Sequence, residues 1–246
     1  MRRWTVSPAL ILTTLLGAAL LAQQPAPPQP AAQAPASPIA SALRVAVIDA
    51  AHGGTDAGAR AEGIQEKELT LQFTRMLRAE FLRRGLRVVL TREGDEAPSF
   101  DERAAAANTQ RGAIFITVHV GAGGEPGTAR AYFFRGFPAP AAGEAARRPH
   151  DPLPWDRAQE PHLDLSRRLA DLVQLQFSRR FRGSPEIAAP AAVRQLRSIT
   201  APAVAIEISH LGMERRALEQ MVPRVAEAVG LGVAAFRPVY DAAGAQ

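Results

Sequence analysis

The chain has 246 residues, of which 47% are apolar and 22% are charged, a composition that is sufficient for a buried core. It has no cysteine, which excludes disulfides, thiolate metal sites and a cysteine nucleophile. The net charge is +5 and the pI about 10.7, which favours polyanionic partners. Aromatic residues make up only 6% and no nucleic-acid-binding motif is present, so we expect no nucleic-acid partner.

The N-terminus has the pattern of a secretory signal peptide. Arg2 and Arg3 precede the apolar run Ala9–Ala22, which ends in small residues suited to cleavage. The run is shorter than the ~20 residues needed to span a bilayer, so we expect no stable membrane insertion after cleavage. An uncleaved anchor that begins near Trp4 is the alternative. Residues 1–22 are therefore predicted to be a signal peptide, and the protein is predicted to be periplasmic or secreted.

Residues 23–42 are rich in proline, alanine and glutamine, which predicts a disordered linker without a core. Residues 43–240 are predicted to form one domain in which short apolar strands alternate with amphipathic helices. The strands are expected at Arg44–Asp49, Leu86–Thr91, Ala113–His119, Ala129–Phe134 and Ala203–Ile208. The helices are expected at Glu66–Arg84, Phe100–Gln110, Leu163–Arg182 and Glu214–Phe236, the last broken at Pro223. This alternation predicts an α/β fold, a twisted and mostly parallel sheet flanked by helices on both faces.

Residues 136–161 interrupt this alternation. They are rich in proline and glycine and have little periodicity, so they are predicted to be an inserted loop. The simplest interpretation is a surface loop that touches nothing, with His150 and His162 at the surface. A loop that helps to hold a ligand, through Arg147, Arg148 and Trp155, is the alternative.

Polar side chains stand at or near the carboxyl ends of three predicted strands, where α/β sheets bind ligands. His52 follows the first strand, His119 ends the third and Glu207 lies near the end of the last. Glu66 opens the first helix, directly after the loop that carries His52. Two histidines and a carboxylate on separate elements are sufficient to hold a catalytic zinc with an open position. A lone histidine near a strand end is more often structural, and a glutamate that opens a helix is usually a favourable dipole contact. Glu207 differs, because a carboxylate within an apolar strand is costly unless it is paired or coordinates a metal.

Six blocks of sequence resemble, in order, the zinc-dependent N-acetylmuramoyl-L-alanine amidases, and they extend over most of residues 44–236. They are VAVIDAAHGGTDAGA, GIQEKELTL, RVVLTREGD, FDERAAAAN, AIFITVH and PAVAIEIS. The resemblance implies that His52, Glu66 and His119 bind Zn²⁺ and that Glu207 is the catalytic carboxylate. It also implies a peptidoglycan substrate and hydrolysis of the amide bond between N-acetylmuramic acid and L-alanine by a zinc-activated water. A protein activator is a further partner that it implies.

The blocks also suggest structural roles for Arg92, Arg103 and Asn108, and tight turning beside the metal for Gly53 and Gly54. The sequence departs from the family beside the site, which reshapes the pocket wall. The family's usual Pro-Gly, Ala-Asn and Gly-Phe-Leu are replaced here by Ala50-Ala51, Val120-Gly121 and Ser209-His210-Leu211.

Three questions remain open at this point: the activity, the role of the inserted loop and the role of His210. The chain could be a non-catalytic wall-binding or regulatory protein, or a zinc peptidase that cuts within the stem peptide. The inserted loop could be an autoinhibitory gate, as in some cell-wall amidases, with Glu144 or Glu160 blocking the metal. His210 could bind substrate or stabilise an oxyanion, or it could replace a packing aromatic residue.

Overall fold

A computed structural model of the chain describes residues 42–61, 63–138 and 152–244. The predicted signal peptide, the linker up to residue 41 and residues 139–151 of the inserted loop lie outside these ranges. So do Glu144, Arg147, Arg148 and His150.

The described residues contain a six-stranded sheet in the order β4-β1-β5-β8-β6-β7, beside a small two-stranded ladder of β2 and β3. The strands are β1 Val45–Ala50, β2 Arg60–Ala61, β3 Ile64–Gln65, β4 Arg87–Leu90, β5 Ala113–Gly121, β6 Thr128–Phe134, β7 Ala189–Ala191 and β8 Ala203–Ser209. Strands β4, β1, β5 and β8 are parallel, and β6 runs antiparallel to β8 and parallel to β7. The sheet is thus mostly parallel, as the alternation of strands and helices predicts.

Helices cover both faces of the sheet, which the predicted α/β fold requires. They are α1 Glu66–Arg83, α2 Phe100–Asn108, α3 Leu163–Arg180, α4 Arg194–Arg197 and α5 Arg215–Gly244. The larger core packs α1, α3 and α5 against one face, where Ile48 and Ile116 meet Phe73 and Val229. The smaller core packs α2 and α4 against the other face. Since side chains alternate along a strand, β1 contributes to both cores and is buried throughout.

Helix α5 is continuous through Pro223, so the predicted break at this residue is wrong. A proline inside a helix removes one backbone hydrogen bond and costs about 3 kcal/mol. Leu218, Val225 and Val229 on either side of Pro223 are fully buried in the larger core. Burying an aliphatic side chain of this kind contributes about 1.5–3 kcal/mol each, and together these contacts outweigh the lost bond.

The described end of the inserted loop is attached to the domain, so the expectation of a loop that touches nothing is wrong for this part. It contains two 3₁₀ helices, Trp155–Arg157 and Glu160–His162. Gln159 is fully buried, and its Nε2 donates to the carbonyls of Ile199 and Ala201, 2.9 Å from each. A buried amide of this kind anchors the chain because an unpaired polar group in the core is costly.

His162 is also placed differently from the prediction, because it is buried with only 3% of its surface exposed. Its Nδ1 has no hydrogen-bond partner among the described residues. Burial lowers the pKa of His162 from 6.5 to about 4, since the core does not solvate the charged imidazolium. The sequence signal was misleading because the histidine directly follows a proline-rich segment, while its position is set by packing at the start of α3.

Candidate metal centre and facing carboxylate

The fold brings His52, Glu66 and His119 together at the carboxyl edge of the sheet. His52 lies in the loop after β1, His119 lies on the neighbouring strand β5 and Glu66 is the first residue of α1. Glu66 Oε2 is 3.1 Å from His52 Nε2, and Glu66 Oε1 is 3.1 Å from His119 Nδ1. One ligand atom from each residue lies within 4.8 Å of the other two. Among the described residues, this cluster has the donor set of a metal site.

Glu66 is held as an ionised carboxylate between the two imidazoles. Only 5% of its surface is exposed. Burial raises the pKa of Glu66, but hydrogen bonds from His119 and His52 outweigh it and hold that pKa well below its usual range. The backbone N–H groups of Ala59 and Val120 donate to its two oxygens at 2.9 and 3.1 Å. Both oxygens are therefore oriented before any cation binds.

The loop that carries His52 turns sharply because of the two glycines that follow. His52 itself has a φ of 64°, and Gly53 and Gly54 have φ values of 131° and 56°. A Cβ on Gly53 would lie 2.0 Å from the carbonyl oxygen of Glu96, so no other residue fits there. The tight turn predicted for these glycines is present.

Two buried arginines hold the backbone beneath this loop. Arg92 donates to the carbonyls of Ala50 and Ala51 at 2.9 and 3.0 Å. Arg103 donates to the carbonyls of Ala50 and His52 at 2.8 and 2.9 Å. Each guanidinium thereby fixes the backbone directly before or at His52, which is the kind of structural role that the sequence predicted for both residues.

The charge of Arg103 is compensated beneath the site by Asp49, with which it forms a buried ion pair. Asp49 is fully buried and also accepts hydrogen bonds from the hydroxyls of Thr91 and Thr117 at 2.6 and 2.7 Å. A buried carboxylate is tolerated when it is paired and hydrogen-bonded in this way. Asn108 has a different structural role, since its side chain binds the backbone of Ser198 and Thr200, each at 2.8 Å.

The ring nitrogens of the two histidines that face away from Glu66 also have side-chain partners. His52 Nδ1 lies 2.8 Å from Asp56 Oδ2, and His119 Nε2 lies 3.4 Å from Gln195 Nε2. The hydrogen bond with Glu66 raises the pKa of His52, burial opposes this, and Asp56 raises the pKa further. Each imidazole is thus also held by a side chain on the side that faces away from Glu66.

The geometry of the cluster fits zinc. Two donors at about 2.0–2.2 Å from one tetrahedral zinc ion lie about 3.3 Å apart. The two nitrogen–oxygen distances of 3.1 Å, each to a different oxygen of Glu66, are close to that value, and the three donor atoms together lie within 4.8 Å of one another. Two neutral imidazoles and a carboxylate are also the donor set of known catalytic zinc sites, with a fourth position left for water or substrate.

Glu207 does not belong to this cluster but lies beside it, where it lines the same cavity as His119. It is paired in register with His119 on β5 and with Arg130 on β6, so the three side chains leave the same face of the sheet. The cavity has a volume of about 370 Å³. Its lining consists of His119, Tyr132, Gln195 and Glu207 with four apolar residues, Ala191, Val193, Ala205 and Ile206. A carboxylate thus faces the same cavity as a histidine of the candidate metal centre.

The Glu207 carboxylate occupies space that Gly121 leaves open. A Cβ on Gly121 would lie 2.1 Å from Glu207 Oε1. On the opposite side, burial raises the pKa of the Tyr132 hydroxyl, and the charge of Glu207 raises it further while Arg130 lowers it. Glu207 is therefore confined between a backbone surface and a protonated phenol.

Sequence reasoning missed Asp56, Arg130, Tyr132 and Gln195, and it named Gly121 only as a departure from the family that reshapes the pocket wall. Asp56 has a local signal, because it follows His52 by four residues within the same glycine-rich loop. Gln195 has none, because it lies 76 residues from His119 and reaches it only in the folded chain.

Two other candidates are not part of the cavity lining described above. His210 lies near Glu207 in sequence, but its Nδ1 accepts a hydrogen bond from the backbone N–H of Gly212 at 2.9 Å. This local contact favours the structural interpretation. Glu160 lies 3.1 Å from Arg157 through each of its two oxygens, so its carboxylate pairs with the preceding 3₁₀ helix.

The chain is similar in sequence to known amidases. The sequence model of a family described as N-acetylmuramoyl-L-alanine amidase matches residues 46–234. The N-acetylmuramoyl-L-alanine amidase CwlM of Bacillus licheniformis is 41% identical over 95 residues, 38% of this chain and 37% of that protein. The chain thus spans well under half the length of this curated relative.

Solved structures share the fold over most of the chain. The crystal structure of N-acetylmuramoyl-L-alanine amidase from Clostridium difficile 630 matches with a TM-score of 0.60 at 21% identity and covers 79% of this chain and 96% of that one. The CwlD amidase from Clostridioides difficile, in complex with the GerS lipoprotein, matches with a TM-score of 0.59 at 21% identity. This second match covers 80% of this chain and 99% of that one.

Proposed function

Because the chain belongs to the N-acetylmuramoyl-L-alanine amidase family, we propose that it hydrolyses the amide bond between N-acetylmuramic acid and L-alanine in peptidoglycan. The observation that carries the proposal is the arrangement of His52, Glu66 and His119 beside a cavity that Glu207 enters from the neighbouring strand. Hydrolysis of an amide needs an activated water, a group that stabilises the oxyanion and a group that moves protons, and this arrangement has a candidate for each.

His52 Nε2, Glu66 and His119 Nδ1 are the proposed zinc ligands. A zinc ion bound there would supply Lewis acidity, which lowers the pKa of water towards ~7 and polarises a carbonyl. The chain's own contribution is orientation. The backbone bonds to Glu66 and the arginine contacts beneath His52 hold the donors in place before binding.

Glu207 is the proposed general base and acid. Its carboxylate would accept a proton from the attacking water and then return it to the nitrogen of the departing L-alanine. Confinement against Gly121 limits the positions that the carboxylate can adopt. The protonated Tyr132 hydroxyl and the Arg130 guanidinium line up beside it, where they would orient the substrate's polar groups.

The test is digestion of purified peptidoglycan sacculi with the zinc-loaded protein, followed by mass spectrometry of the soluble products. Intact stem peptides with a free L-alanine amino group are expected. Fragments cut within the stem peptide would show a zinc peptidase instead, and no release beyond that of a Glu207→Gln control would show a non-catalytic binding protein.

We also propose that the enzyme is exported, with residues 1–22 as the signal peptide and 23–42 as the linker. The support is the basic and apolar pattern of the N-terminus together with a substrate that lies outside the cytoplasm. In the described residues, no helix is both long and apolar enough to cross a bilayer. Mass spectrometry of the mature protein should find an N-terminus near Gln23, whereas an intact Met1 in the membrane fraction would show a retained anchor.

A protein partner is a further part of the proposal, since the similar CwlD amidase was solved in complex with the GerS lipoprotein. Affinity purification of the full chain from its native envelope, with and without zinc, tests whether a lipoprotein or other envelope protein is retained.

A further inference from the structure

Gln195 lies behind His119, on the opposite side of the imidazole from Glu66. It is carried by the short helix α4, which is anchored by the fully buried Leu196. The Gln195 Nε2 is 3.4 Å from His119 Nε2, and His119 Nδ1 is 3.1 Å from Glu66 Oε1. Both ring nitrogens of His119 therefore have a side-chain partner.

The identity of these partners determines where the imidazole proton lies. A neutral imidazole has one nitrogen that donates and one that accepts. An amide nitrogen can only donate, so His119 Nε2 accepts from Gln195 and the proton lies on Nδ1. Nδ1 then donates to the Glu66 carboxylate. In this tautomer, the lone pair of Nδ1 is not available to a metal.

Metal binding through Nδ1 requires the opposite tautomer, with the proton on Nε2. Gln195 must then accept a hydrogen bond rather than donate one. A glutamine side chain can do both, because rotation of its amide by about 180° exchanges the nitrogen and the oxygen. The amide can therefore follow the proton from one ring nitrogen to the other.

His52 is held differently. Its outer nitrogen, Nδ1, faces the Asp56 carboxylate at 2.8 Å, and an ionised carboxylate only accepts. Its inner nitrogen, Nε2, faces Glu66 Oε2 at 3.1 Å, so both ring nitrogens of His52 face carboxylates and neither faces an amide. The two histidines differ in this respect although both face Glu66.

We propose that Gln195 is a positioning residue whose amide reverses when the metal binds, so that it supports one tautomer of His119 without metal and the other with it. This inference rests on the proposed zinc site. Its consequence is that Gln195 contributes to zinc affinity although it provides no ligand. Partners of this kind typically contribute 10- to 100-fold to metal affinity or activity.

The test compares zinc dissociation constants, measured by competition with a chelator, for four forms of the full chain. Gln195→Met keeps the side-chain length but removes both the donor and the acceptor, and we expect about 10- to 100-fold weaker binding. Gln195→Glu keeps an acceptor and should bind zinc at least as tightly as the wild type. Gln176→Met, on the outer part of α3, is the matched control and should bind like the wild type.

A second measurement reports the tautomer directly. In ¹⁵N-labelled protein, the imidazole nitrogen signals of His119 should show the proton on Nδ1 without zinc and on Nε2 with zinc. His119→Ala identifies these signals by their loss. In Gln195→Glu, Nε2 should carry a proton even without zinc, because the new carboxylate can only accept, a change that a purely structural role of Gln195 would not cause.

The outcomes separate this inference from the proposed function. Equal zinc affinity in the wild type and in folded Gln195→Met would overturn the role of Gln195 and leave the zinc site intact. An unchanged tautomer on zinc binding would also overturn it. A wild-type protein that binds no zinc would overturn both the inference and the proposed metal site.

Discussion

His119 and Glu207 occupy paired positions on the neighbouring parallel strands β5 and β8. Since neighbouring strands lie about 4.8 Å apart and paired residues face the same side, the two side chains are fixed next to each other by the sheet itself. The relative position of the proposed ligand His119 and the proposed base Glu207 thus depends on the register between β5 and β8. A slip of one residue would turn one of the two side chains to the opposite face of the sheet.

The metal site predicts that His52→Ala and His119→Ala each lose zinc and activity. Each substitution removes one of the proposed ligands, and two remaining donors are insufficient for a stable catalytic zinc. Elemental analysis of the purified protein should give one zinc per chain for the wild type and much less for both variants. Full zinc occupancy in either variant would remove that histidine from the ligand set.

Glu207→Gln should keep zinc and the fold but lose about 10²- to 10⁴-fold in rate, the usual contribution of general acid–base catalysis. The reason is that Glu207 contacts the cavity rather than the metal cluster. Zinc content and turnover on sacculi are measured on the same preparation. Loss of the metal in this variant would instead make Glu207 a ligand.

Gly121→Ala should lower the rate without removing zinc. The new Cβ would lie 2.1 Å from Glu207 Oε1, so the carboxylate must move, and a misplacement of about 1 Å can cost up to about 10²-fold. Gly123→Ala is the matched control, because a Cβ there meets nothing within 4 Å. Similar rates for both variants would show that the position of the Glu207 carboxylate over Gly121 is not important for turnover.

The burial of His162 predicts that the folded protein loses stability in acid. Above pH 6.5 it is neutral in both the folded and the unfolded chain and contributes no pH dependence. Between pH 6.5 and about 4, the unfolded chain binds a proton that the folded chain does not, so the free energy of unfolding falls by up to about 3 kcal/mol as the pH decreases.

His162→Phe keeps an aromatic ring in the core and removes this titration. Urea unfolding at pH 7.5 and pH 5.0 should show a smaller decrease in the free energy of unfolding for this variant than for the wild type. Asp101 lines the same cavity as His162. Asp101→Asn therefore serves as a control that tests whether the charge of Asp101 contributes to the decrease. An equal decrease in the wild type and in His162→Phe would exclude His162 as the cause.

Local patterns were sufficient for most of the fold. The spacing of Leu69, Phe73, Leu77 and Phe81 predicts α1, and all four are fully buried in the structure. The short apolar runs predict β1, β5 and β8 to within two residues at each end. Prediction from local signals was wrong at Pro223 and His162, where burial in the core outweighs the backbone preference or polarity of one residue.

The candidate site was likewise predictable only in part. The sequence by itself determined which residues have the right chemistry, namely His52, Glu66, His119 and Glu207, because strand ends and resemblance can be read along the chain. The tertiary structure alone decided what surrounds them. Gln195 and Arg130 reach the site from other elements, and such contacts depend on strand order and register, which are set by the packing of the whole sheet.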